Sequence, residues 1–327
     1  MKGAVGQQRV PKEFLIEYPF PLPPLDEQKR IVARLDSMLG KIKEARRLIQ
    51  EARDTFAERR AAILARAFRG ELTAKWREEN PDVEPAEKLL ERIRAEREKE
   101  EAKSAKKGKV KFSDEPIEEP YPLPEGWKWA RALEIADHIN GYAFKSREFK
   151  PKGIQVLRIG NIYNSILDRN RSPVFVSDTI DKSTKQRVGT VPGDIIMTLT
   201  GTKYKQDYGN TAVITSKEPL MLVNQRLLLI RPAIHAEYLN WHFQTPSYRK
   251  IFFQSETGGV NQGNVSSRAT EQIPIPLAPE SEQKELIRVI SSIFAAEDES
   301  IKNIAYDLNL DLIETALLKK AFRGELS

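Results

Sequence analysis

Two stretches decide the reading: Pro19-Phe-Pro-Leu-Pro-Pro-Leu-Asp-Glu-Gln-Lys29 and, 255 positions later, Pro274-Ile-Pro-Leu-Ala-Pro-Glu-Ser-Glu-Gln-Lys284. The match extends outward. Residues 3–31 align with 258–286, and Ala67-Phe-Arg-Gly-Glu-Leu72 returns as Ala321-Phe-Arg-Gly-Glu-Leu326. Each copy is a proline-rich entry followed by a long charged run, so one module of roughly fifty helical residues brackets an unrelated centre. Two like segments around one domain imply a scaffold that holds it.

The prolines keep each entry extended, and Asp26 with Glu27 puts acid at a helix start, where unpaired amides favour it. Ile31, Leu35, Met38, Ile42, Ala45, Ile49, Ala52 and Phe56 then alternate at spacings of four and three, the seam of a coiled coil. Gly70 is placed as its stop. From Lys29 to Leu72 such a helix is a rod roughly 65 Å long. In the second copy Ile290, Phe294, Ile301, Ile304 and Leu308 keep nearly that rhythm, broken where Glu297 takes a seam position, and Leu312, Leu317 and Phe322 continue it. An antiparallel pair within the chain is the economical arrangement; pairing between two chains is the rival.

Between the rods the composition changes. Residues 75–120 hold the amphipathic run Ala86-Glu-Lys-Leu-Leu-Glu-Arg-Ile93 and a charge-dense tract, Arg94 to Lys111, which reads as a solvated helix fraying into a linker. Pro81-Asp82 with Glu101-Ala-Lys103 satisfies a loose metal-nuclease pattern. That chemistry needs a strand pair to hold its carboxylates, and these residues lie in a helical charge run. From Tyr121 to Ile273 the texture turns β-like, with strands expected at 155–159, 174–176, 194–199, 211–215 and 222–230, and a helix at 237–254 bent at Pro246. The expected fold is α+β: one mixed domain attached to two long helices forming an antiparallel coiled coil.

Charge is distributed unevenly. The net charge is +6 over 327 residues, yet 121–273 holds 20 Lys and Arg against 13 Asp and Glu, and 16 of the 26 aromatic residues. A basic, aromatic-rich centre between charge-balanced arms is the electrostatic footprint of a nucleic-acid binder. No cysteine is present, which excludes disulfides, thiolate metal sites and cysteine nucleophiles. His138, His235 and His242 form no ligand pair, and neither a phosphate-binding Gly-x-x-x-x-Gly-Lys nor a Gly-x-Gly-x-x-Gly occurs. With no catalytic constellation, no cofactor loop and no long apolar span or signal pattern, the expectation is a cytoplasmic binding protein without a cofactor, rather than an enzyme or a membrane protein.

These motifs carry a resemblance. The repeated Pro-x-Pro-Leu-x-Pro-x-x-Glu-Gln-Lys followed by a helix ending Ala-Phe-Arg-Gly-Glu-Leu resembles the conserved region of the DNA-specificity (S) subunits of type I restriction-modification systems. Leu123-Pro-Glu-Gly-Trp127, Leu157-Arg-Ile-Gly-Asn-Ile162, Pro192-Gly-Asp-Ile195 and Val260-x-Gln-x-x-Val265 are similar to landmarks of that family's target recognition domain. The resemblance implies a subunit that reads double-stranded DNA and directs methyltransferase (M) and restriction (R) subunits, with catalysis residing in those partners. It also implies a division into a remnant tail of a recognition domain (1–18), a first conserved helix (19–74), a charged linker (75–120), a target recognition domain (121–273) and a second conserved helix (274–327). On this reading the chain is a shortened form lacking the body of the first recognition domain, and self-pairing or a separate polypeptide supplies the second half-site reader. The alternative is an assembly or decoy protein whose rods bind M subunits without productive DNA reading.

Motifs shared by subunits of differing specificity cannot choose bases, so Arg158, Asn161, Gly193 and Asp194 are read as builders of the fold. The loops between them are left to read DNA. Lys203, Tyr204, Lys205, Gln206, Tyr208 and Asn210 combine phosphate anchors with base-edge hydrogen-bonding groups. Tyr142, Lys145 and Arg147 form a second candidate segment, and Asn261, Gln262, Asn264 and Arg268 a third.

Overall fold

The computed structural model describes residues 12–17, 19, 21–103, 116–163, 165–259, 261–307 and 310–325. Most of the expected tail at 1–18, with Val260 and Leu308, lies outside them. Its helices are α1 (Lys12–Glu17), α2 (Leu25–Ala67), α3 (Ala74–Glu79), α4 (Ala86–Lys103), α5 (Ala132–Ile135), α6 (Lys182–Val188), α7 (Ala236–Phe243), α8 (Pro246–Gln254), α9 (Ser267–Gln272), α10 (Glu280–Asp307) and α11 (Leu310–Phe322). Its strands are β1 (Lys128–Arg131), β2 (Ala136–Asn140), β3 (Ile154–Leu157), β4 (Ile162–Tyr163), β5 (Ile166–Leu167), β6 (Phe175–Val176), β7 (Ile195–Thr198), β8 (Thr200–Thr202), β9 (Thr211–Val213), β10 (Met221–Val223), β11 (Leu227–Pro232), β12 (Gln262–Asn264) and β13 (Pro274–Leu277). Two compact units result, one of Met1–Ala57 with Ala296–Ser327 and one of Glu58–Ala295.

In the first unit all eight seam positions of α2 from Ile31 to Phe56 are buried or half-buried, with charged residues exposed between them. Ile31, Leu35 and Met38 pack with Leu317 and Ala321 of α11. Arg46, further along α2, pairs with Asp311 at 2.7 Å and Glu314 at 2.6 Å. Contacts move backward along α11 as they advance along α2, so these segments run antiparallel. The expected seam is not kept at every position of the second copy: Leu312 and Phe322 are exposed while Leu317 and Ala321 face α2.

The two copies repeat their hydrogen bonds as well as their letters. Gln28 Nε2 donates to the Pro23 carbonyl at 2.7 Å, and Gln283 Nε2 to that of Ala278 at 2.8 Å, each tying a helix start to its extended entry. At the helix ends Gly70 and Gly324 take positive φ, 74° and 73°. The Glu71 amide donates to Arg66 O and the Glu325 amide to Lys320 O, closing a left-handed cap that satisfies orphan carbonyls.

The second unit is built on a four-stranded antiparallel sheet, β2-β11-β7-β9, buried on both faces. Side chains alternate across a strand. Ile195, Met197, Leu228 and Ile230 enter one core with α4, α7, α8 and the β1–β13 pair, whereas Ile196, Leu227 and Leu229 enter another with the three-stranded sheet β10-β3-β6. Burial on both faces explains why these strands read as continuous apolar runs. The run expected as one strand at 222–230 is two, β10 parallel to β3 and β11 antiparallel to β7, separated by the turn Asn224–Gln225–Arg226.

The amphipathic run expected on a solvated linker helix belongs to this unit. Ala86, Leu89, Leu90 and Ile93, one stripe of α4, are buried in the first core, while Arg97 bonds the Leu133 carbonyl and pairs with Asp137 at 3.2 Å. Charge density on the outer face masked that stripe. A third cluster joins Leu64, Ala67 and Phe68 of α2 to Leu286, Ile290 and Phe294 of α10 and to Trp127. At its edge the fully buried carboxylate of Glu282 accepts hydrogen bonds from Thr73 Oγ1 (2.6 Å), Trp127 Nε1 (2.8 Å) and Arg77. The expected mixture of helix and strand is present.

Candidate nucleic-acid interface

The loop after β7 is shaped by one buried anchor. Tyr208 is fully buried, its hydroxyl donating to Glu256 and its ring packed edge-on against Phe253 at 5.1 Å. It therefore holds the loop from beneath and has no surface to offer a ligand, which corrects its place among the expected contact residues. Gly209, at φ 72°, passes so close to Phe252 that a Cβ would meet that ring at 2.8 Å. Ahead of this anchor Tyr204, Lys205 and Gln206 are exposed and Lys203 half-buried. Their turn is tied by the Asp207 carboxylate, which accepts the Thr202 amide at 2.6 Å, and by Arg249, which donates to the Gln206 carbonyl at 3.0 Å. Asn210 is half-buried and spends its side-chain amide on the Asp207 carbonyl at 3.0 Å.

The three segments picked from sequence converge. β8 pairs antiparallel with β12, setting Thr202 opposite Gln262 and Thr200 opposite Asn264. Gly263 is required there, since a Cβ would fall 2.4 Å from the Tyr208 hydroxyl. The Leu199 amide donates to the Arg226 carbonyl at 3.2 Å, and the Gln225 amide to the Tyr142 carbonyl at 3.0 Å. A continuous run of backbone bonds thus links Tyr142, the 224–226 turn, Leu199 and β12. Tyr142, Lys145, Arg147, Asn261, Gln262 and Arg268 are exposed on these segments, and Asn264 half-buried. The Arg187 guanidinium lies 5.8 Å above the Tyr142 ring.

Asn161 and Asp194 build the fold. Asn161 accepts the Arg158 amide at 2.9 Å and donates to the carbonyls of Asp168 (3.0 Å) and Arg171 (2.9 Å). Asp194, fully buried, receives two hydrogen bonds from Arg231 at 2.8 and 2.9 Å and one from the Val191 amide at 2.7 Å. The pairing holds the Arg231 pKa above its ordinary value.

Sequence reasoning missed one feature. Arg158, Arg171 and Arg226, with Asn224, Gln225 and Gly160, line an open cleft of about 320 Å³. Its signal was the polar triplet Asn224-Gln225-Arg226 inside an apolar run, which a turn would explain. Among the described residues no group of His, Asp and Glu is placed to hold a metal, and no helix is long and apolar enough to cross a membrane.

Comparison with known proteins names the class. The type I restriction modification DNA specificity domain family matches residues 1–52 and 124–309. The chain is similar to the type I restriction enzyme EcoAI specificity subunit of Escherichia coli, at 30% identity over 88% of this chain and 55% of that protein. It is similar also to the EcoKI specificity subunit of Escherichia coli strain K12, at 24% identity over 94% and 57%. A solved structure concerned with complex assembly and conformational transition of a type I R-M system superposes with a TM-score of 0.54 at 21% identity, over 94% of this chain and 61% of that one, a likeness of fold. The chain belongs to the family of specificity subunits of type I restriction-modification systems, which are non-catalytic. It spans a little over half the length of the curated relatives it matches.

Proposed function

We propose that this chain is a sequence-specific DNA-recognition subunit that directs M and R subunits of a type I complex to a split DNA site. The observation that carries the reading is the convergence of the 142–147, 200–210 and 261–268 segments along one backbone-bonded edge of the second unit. Exposed cations there serve phosphate contacts, while Gln206, Asn261 and Gln262 present the amides that pair with base edges. Tyr204, 77% exposed at the loop tip, offers an aromatic face to a sugar or base.

In the same reading α2, α10 and α11 form an antiparallel coiled coil on which M subunits dock, supported by the seam of α2 and the opposed order of its contacts. The conserved helices take 19–74 and 274–327, the recognition domain 121–273, and residues 1–18 the tail of another such domain. Within 75–120, α4 serves as part of the recognition domain, because its apolar stripe lies in that core.

The test is methylation mapping of genomic DNA in a host carrying this chain with an M subunit, against M alone. A defined split motif that requires this chain is expected. A palindromic motif means that copies pair; an asymmetric one means that a second recognition-domain polypeptide joins. Methylation with no sequence preference refutes the reading.

A further inference from the structure

The cleft between Arg158, Arg171 and Arg226 carries an inference that rests on the DNA-binding reading and deepens it. Its lining holds three guanidinia and no carboxylate. None of the three makes an ion pair among the described residues, although Asp and Glu partners occupy many other arginines of this chain. Three cationic residues around one hollow, with no carboxylate in its lining, make it a favourable place for an anion.

The groups are held in place. Arg158 Nη2 donates to the Ser172 carbonyl at 2.9 Å. The Arg171 guanidinium lies 5.2 Å from the ring of Tyr163, itself 58% exposed beside the cleft wall. Arg226 sits on the tight turn whose backbone bonds the Tyr142 and Leu199 segments. Gly160 is part of the lining, and a Cβ there would have open space around it. The hollow, about 320 Å³ and open to solvent, has room for a phosphate group.

We infer that this cleft seats one backbone phosphodiester of DNA, clamped by Arg158, Arg171 and Arg226, and so fixes the register of the adjoining reading segments. Such a contact positions the duplex without selecting sequence. Because the 224–226 turn hydrogen-bonds two of the three reading segments, the seated phosphate sets how far the 203–206 turn and Tyr142 reach into a groove.

The experiment measures binding of the full chain to several duplexes of unrelated sequence over a range of salt, and compares the wild type with R171Q/R226Q and with Gly160→Val. Arg158 is left intact because its guanidinium also supports Ser172. Thermal unfolding within a few degrees of wild type confirms that both variants fold. The expected result is roughly tenfold weaker binding of R171Q/R226Q to every duplex, the loss of a charge-assisted contact, with the slope of log K against log salt reduced by about 0.9 for one phosphate. Gly160→Val, which narrows the cleft without removing charge, should weaken binding in the same sequence-independent way.

Unchanged affinity and slope in both variants overturn the phosphate seat and leave DNA binding standing. Weakening confined to one sequence overturns it also, since the cleft would then read bases. A wild type that binds no duplex overturns both the seat and the DNA-binding reading. Inorganic phosphate is the separate arm: if it raises the melting temperature of wild type but not of R171Q/R226Q, while both bind DNA alike, the cleft is a free-anion site and the inference fails.

Discussion

Mild acid should unfold the second unit through His242. This imidazole, in α7, is 2% exposed, edge-on to Phe68 at 4.9 Å and to Tyr248 at 5.5 Å, and its ring nitrogens are buried with only the Pro274 backbone as a weak partner. Burial pushes its pKa down to about 3. In the unfolded chain it takes a proton near the ordinary value of about 6.5. Its contribution is therefore complete above about pH 6.5 and declines as pH falls toward 3, by about 1.4 kcal/mol per unit. Between pH 7 and pH 5 that amounts to about 2 kcal/mol. His138, lowered to about 4 by burial, adds a comparable share in the same window, since its folded pKa also lies below pH 5. Carboxylates with lowered pKa respond only at greater acidity. Trp76, Trp127, Trp129 and Trp241 all lie within 58–295, so tryptophan fluorescence in urea follows this unit selectively. His242→Phe has a ring to fill the same aromatic site and carries no titrating group, and should retain only the His138 share of the decline. A variant whose stability falls as steeply as wild type between pH 7 and pH 5 would refute the assignment.

Three further outcomes follow from the packing. Leu90→Ala, at the centre of the α4 stripe, should cost about 2–4 kcal/mol by urea unfolding, where a solvated linker helix would lose almost nothing. Asp194→Ala should cost about 3 kcal/mol, because it strands Arg231 and the Val191 amide, and Asp194→Asn less. Arg46→Ala should leave helix melting, followed by circular dichroism, almost unchanged, since its pair with Asp311 is solvent-exposed and screened.

The repeated helices were legible because capping and seam packing are local: a glycine three residues after Ala67, a glutamine after two prolines, an apolar residue every third or fourth place. The bend at Pro246 was legible for the same reason, and α7 and α8 meet there. Four features were hidden. The turn at Asn224–Arg226 lay inside a run apolar enough to pass for a single strand, because β10 and β11 are both buried on two faces. The α4 stripe was outweighed by its charged outer face. Tyr208 carries the chemistry of a contact residue and the burial of a core residue, and only the approach of Gly209 and Gly263 to the aromatic cluster separates the two. The arginine cleft draws on residues from three separate stretches, 158–160, 171–172 and 224–226, and no linear pattern connects them.

Glu282 has a consequence for how such a chain can change over time. Its carboxylate receives Thr73 and Arg77 from just after α2, and Trp127 from just before β1, across separations of 209, 205 and 155 residues. Everything that carries the reading edge lies between these points, as a cassette strapped at its neck by one side chain. A different cassette that brings an indole N–H to the same carboxylate, and rings to the places of Tyr238 and Trp241, inherits the attachment. On the proposed function, exchange at this neck would alter what is recognised so long as Tyr238 and Trp241 still pack on Phe68 and Phe294, so specificity and assembly would be tied through those few contacts alone.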